Sequence, residues 1–124
     1  AVAPLIDAFR EQGGEERPVH VQMAVSWAKT KDEAARNALE QWAAASLGGE
    51  VAWDLRRPSD FDQAARFTRS EDLEAALLIT DSMPQIIERA AQLAACGASV
   101  IQIHPVSTNQ EEFIEEIAPL LAGA

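Results

Sequence analysis

The last quarter of the chain, Gly97 to Leu121, reads GASVIQIHPVSTNQEEFIEEIAPLL. A short apolar strand, Val100 to Ile103, ends in His104-Pro105, crosses a polar turn and enters an amphipathic helix. This is the pattern of one βα unit of a parallel sheet, and a parallel strand cannot stand alone. Whatever precedes it must therefore supply at least one more parallel strand. In such folds function sits just past the carboxyl ends of the strands, which singles out His104.

The partner strand is legible earlier. Pro18 introduces Val19 to Trp27, in which Val19, Val21, Met23, Val25 and Trp27 point one way and His20, Gln22, Ala24 and Ser26 the other. Ahead of it, Ala3 to Gln12 reads as the tail of a helix with Leu5, Ile6 and Phe9 on one face, stopped by Gly13-Gly14. After it, Thr30 with Glu33 forms a capping box that opens a helix through about Ser46, its stripe made by Ala35, Ala38, Leu39, Trp42 and Ala43. Val51-Ala52-Trp53 reads as a loop, Pro58-Ser59 starts a short helix, and Ser70 caps another through about Ala76. Leu77 to Thr80 is a brief extended piece. Ser82 with Gln85 suggests a second capping box, opening a helix that Gly97 ends, and Thr108 with Glu111 suggests the cap of the last one.

At 124 residues, 48% hydrophobic and 24% charged, the composition is that of one globular domain. A net charge of -10 with Lys and Arg scattered singly or in pairs argues against nucleic acid and against anionic membrane surfaces. No apolar run approaches the roughly 20 residues that cross a bilayer. Cys96 is the only cysteine, so no internal disulfide forms, which suits a cytoplasmic location, and its Ala-rich surroundings suggest a small buried hydrophobe. His20 and His104 lie far apart and no His-x-x-x-His pattern occurs, so no metal site is expected. Glu111-Glu112 and Glu115-Glu116 fall where they compensate a helix dipole. Ala1 in first place leaves both a processed terminus and an excised fragment open.

Strands with one apolar and one semi-polar face suit a barrel whose interior leads to a polar mouth. An open doubly wound sheet, covered by helices on both faces, favours strands apolar throughout. Three segments sharpen the choice. PVHVQMAVSWAKTKDEA, the AWDL segment with Pro58-Ser59-Asp60-Phe61, and CGASVIQIHPVSTNQEEFIEEIAPLL together resemble the luciferase-like monooxygenase superfamily. The resemblance is greatest to its deazaflavin (coenzyme F-420)-dependent, glucose-6-phosphate dehydrogenase-like branch.

The resemblance implies an α/β fold, the C-terminal part of a (β/α)8 TIM-type barrel, with Val19–Trp27 as strand seven and Val100–His104 as strand eight. The whole chain, 1–124, would then be one partial-barrel domain. A full barrel needs about 250 residues, so strands one to six, which supply most of the cofactor site in the family, lie outside it. The implied cofactor of the intact enzyme is the deazaflavin, or alternatively flavin mononucleotide (FMN), with neither expected to bind this chain alone. Sugar-phosphate-specific members use a Lys and an Arg that fall at about Ala52 and Ala76 here, so that substrate is not carried over. Where relatives have Gly-Pro-Asp-Gln before the last helix, this chain has Ser107-Thr108-Asn109-Gln110.

Ser26, Trp27, Trp53 and His104 are the candidate substrate-binding residues. Ser26 and His104 would lie at strand ends by the barrel mouth, and Trp27 lies beside them. Trp53 occupies the segment where family members place part of the substrate cover. Lys29 could meet an anionic group. The expected partners are a small-molecule substrate and either the rest of a parent barrel or a second copy of the chain, hence an oligomer. The alternative is a freestanding small α/β module that self-associates or binds a protein partner without catalysis.

Overall fold

A computed structural model describes residues 2–122. Helix α1 spans Ala3–Phe9 and runs into a wider turn, Arg10–Gly14, where Gly13 takes a φ of 97° that only glycine adopts without strain. The Arg10 guanidinium then turns back onto the carbonyls of Gly14, Glu15 and Arg17 and holds the chain in its reversal towards the sheet.

Strand β1, His20–Trp27, is followed by α2, Lys31–Trp42, whose first turn is capped as the sequence predicts: Thr30 Oγ1 accepts the Glu33 N–H at 3.3 Å. Three short helices follow, α3 (Glu50–Asp54), α4 (Pro58–Ala64) and α5 (Ser70–Leu73). Helix α3 replaces the expected loop at Val51-Ala52-Trp53. Helix α5 stops at Leu73, and its first turn is closed by the Asp72 carboxylate accepting the Arg69 N–H at 2.8 Å, not by Ser70.

Strand β2, Leu78–Thr80, leads into α6, Met83–Ala95; then come β3, Val100–Pro105, and α7, Gln110–Ala122. Two expected caps resolve differently. Thr80 Oγ1, not Ser82, accepts at the start of α6, taking the Ser82 N–H while donating to Gln85 Oε1 at 2.6 Å. At α7 the Phe113 N–H reaches the Asn109 carbonyl, so the cap position falls on Asn109, one residue after Thr108, and the helix begins at Gln110.

The three strands form one parallel sheet in the order β2-β1-β3. β1 pairs with β3 over six residues, His20 with Val100 through Val25 with Pro105, and with β2 only at its end, Val25 with Leu78 through Trp27 with Thr80. The fold is thus α/β, helix-rich, with a small open parallel sheet.

Both faces of the upper sheet carry helices. On one face Met23, Val25 and Trp27 pack with Met83, Ile86 and Leu93 of α6 and with Phe113 and Ile117 of α7. On the other, Ala24 and Ile79 pack against Ala34 and Ala38 of α2 and Leu73 of α5. This corrects the premise that a sheet covered on both faces needs strands apolar throughout. Where α2 lies on β1 the residues are small, Ala24 and Ser26, because a helix with Ala34 and Ala38 at its contact line approaches closely. Lower on the same face Gln22 and Gln102 are exposed to water, and there the polar residues need no burial.

Cys96 is half-buried at the end of α6 rather than buried. Gly97 ends that helix with φ 98°, its N–H bonded to the Ala94 carbonyl and that of Ala98 to Leu93. Among the described residues no helix is long and apolar enough to cross a membrane.

Candidate functional site

The carboxyl ends of β1 and β3 and the semi-polar face below them hold the chemistry-bearing residues. Backbone bonds from Val100 to the Val19 carbonyl and from Val106 to the Val25 carbonyl fix the two strands in register. Strand alternation then sets Gln22, Ala24 and Ser26 on one face with Gln102 and His104 beside them.

Ser26 is fully buried, and its hydroxyl donates to the Ala34 carbonyl at 2.7 Å. That bond ties the first turns of α2 to the strand. Trp27 faces the opposite side: its ring meets Phe113 edge-on at 6.1 Å and its Nε1–H donates to the Asp81 carbonyl at 3.3 Å. His104 is half-buried on the Ser26 face. Its Nδ1 lies 2.6 Å from Gln22 Nε2, so the amide donates and the imidazole proton resides on Nε2 in this arrangement. The same ring stands edge-on to Trp42 at 5.4 Å.

Trp53 stands apart, 89% exposed on α3. The four candidate residues therefore do not converge. Ser26 and His104 share a face, Trp27 points to the other, and Trp53 belongs to the excursion between α2 and β2, whose neck is closed by Ser46 Oγ and Thr68 Oγ1 at 2.8 Å.

The structure adds residues that spacing did not single out as a group. Asn109 Nδ2 donates to the Trp27 carbonyl at 3.2 Å, while its Oδ1 accepts from the buried Ser107 hydroxyl. A loop after β3 thereby clamps the end of β1. Above it Lys29 Nζ meets Glu112 Oε1 at 2.7 Å, so the lysine is already neutralised by this chain's own helix. The partner of Lys29 was hidden because the lysine lies in the loop after β1 and Glu112 in the first turn of α7, much further along the chain, brought together only by the pairing of β1 with β3. Among the described residues no group of three or more His, Cys, Asp or Glu side chains is arranged to hold a metal ion.

The hydrogen bond and then the charge of Glu112 raise the Lys29 ammonium above its ordinary range, and the hydrogen bond from Lys29 lowers the Glu112 carboxyl. Asp60 and Asp72 are lowered as well, the first chiefly by the Arg57 side chain and the second chiefly by the Arg69 backbone N–H. A lowered carboxyl contributes stability above its unfolded value of about 4 and loses it as pH falls through the folded value. A raised lysine contributes below about 10.4 and loses its share only as pH rises through the folded value. The Lys29–Glu112 contribution is therefore constant between about pH 5 and 8 and fades on the acid side. The expected outcome is that the gap in urea midpoint between the native chain and Glu112→Gln, small at neutral pH because the pair is exposed, closes as pH drops below about 4. A gap that widens on acidification would contradict the pairing.

Compared with protein-family models and with curated proteins, the chain matches none.

Proposed function

We propose that this chain is the C-terminal α/β segment of a deazaflavin-dependent, luciferase-like oxidoreductase, contributing strands seven and eight of its (β/α)8 barrel. The observation that carries the reading is the arrangement of β1, α6, β3 and α7. The two strands are adjacent and parallel, and both helices pack on the same apolar face. Such an arrangement is consistent with one wall of a barrel, whose helices lie outside the strands, although α2 covers the face that a barrel would turn inwards. The segment from α2 to β2 then counts as an excursion between β1 and its barrel helix α6, starting at the carboxyl end of β1, where substrate walls are built in such folds.

Two open margins support the same reading. Among the described residues the outer edge of β3, which carries Pro105, pairs with no strand, and β1 has no neighbour below Val25 on its other side. A parallel sheet left so incomplete needs further strands. In the intact enzyme a hydride passes between deazaflavin and a small organic substrate, the cofactor supplying the redox chemistry. This segment's part is to close the barrel and line one side of the pocket, with Ser26, Trp27, Trp53 and His104 as the candidate lining. FMN is the alternative cofactor, and a cytoplasmic site of action goes with this reading.

Fluorescence titration of the 124-residue chain with the deazaflavin tests the division of labour. No saturable binding is expected, since most of the cofactor site belongs to strands one to six; tight binding by this chain alone would overturn it. The coding sequence upstream of Ala1 tests the family: about 200 residues of βα pattern favour the enzyme, whereas a start codon immediately before Ala1 favours the freestanding module.

The second reading, a freestanding module that covers its margins by self-association, is favoured by exposed Leu5, Phe9, Val100 and Ile114. Light scattering separates the two from a bare monomer. Both predict a mass above that of a single 13.4 kDa chain, and a stable monomer at high concentration would count against both.

A further inference from the structure

We draw no further inference here: the strongest candidate, the ≈ 560 Å³ cleft along the uncovered lower edge of β1 between the approach to β2 and α6, has walls that carry both signs of charge, Lys31 and Arg89 against Glu74, and nothing in the structure shows what covers it.

Discussion

Trp27→Ala is expected to lower the stability of the chain by about 3–5 kcal/mol, the usual loss for deleting a large buried aromatic side chain. Trp27 is 4% exposed and closes the end of the apolar face, where its ring touches Phe113 and the cluster formed with Met83 and Ile86. Removing it leaves a hole that no neighbour can fill without moving α7. Trp27→Phe is the intermediate case. It keeps one ring in the cluster but loses the Nε1–H donation to the Asp81 carbonyl, about 0.5–1.5 kcal/mol, together with part of the indole's packing, so its total loss should fall between that figure and the Trp27→Ala loss. Urea unfolding followed by far-ultraviolet circular dichroism reads both. A Trp27→Ala loss below about 1 kcal/mol would show that the indole is not anchored in this core and would return it to the candidate substrate wall.

The strand faces were legible because period-2 alternation survives wherever a strand is long enough and one side is buried. Val21, Met23, Val25 and Trp27 of β1 all turn to the cluster under α6 and α7, as the alternation implied. β2 carries only Leu78, Ile79 and Thr80, too few to establish a period, so neither its pairing with β1 nor the β2-β1-β3 order could be read. Helix α3 was missed for a related reason. Val51 and Trp53 are both exposed, so no apolar stripe marks its five residues as helical.

Caps were misassigned by one or two residues where several short polar side chains adjoin. Thr80 and Ser82, or Thr108 and Asn109, offer equivalent oxygens to a sequence reader, and only the tertiary path chooses between them. At the candidate site the residue types were visible and their duties were not. A buried serine on a strand has the same signature whether its hydroxyl awaits a ligand or, as Ser26 does, bonds the Ala34 carbonyl. The Gln22–His104–Trp42 contact joins three elements distant in sequence, and no local spacing encodes it.

Ala38→Glu tests the one packing relation on which the two halves of the structure depend, α2 lying on the semi-polar face of β1. Ala38 is fully buried, in an apolar cluster with Ala34, Leu73, Leu77, Ile79 and Val106. A carboxylate there would be buried without a partner, at about 3–5 kcal/mol. Burial favours its neutral form, so the deficit at pH 7 should shrink as pH falls towards about 4, in the same direction as the Glu112→Gln gap but from a higher pH and far larger in size. Arg36→Glu, on the exposed side of the same helix, is the control and should change stability by at most about 0.5 kcal/mol. Hydrogen exchange locates the damage: undocking of α2 alone releases its amides and spares those of β1 and β3. Were Ala38→Glu as mild as the control, α2 would not rest on this face in solution. The face bearing Gln22, Ser26 and His104 would then be free to turn inwards, as the closed barrel of the proposed parent enzyme requires.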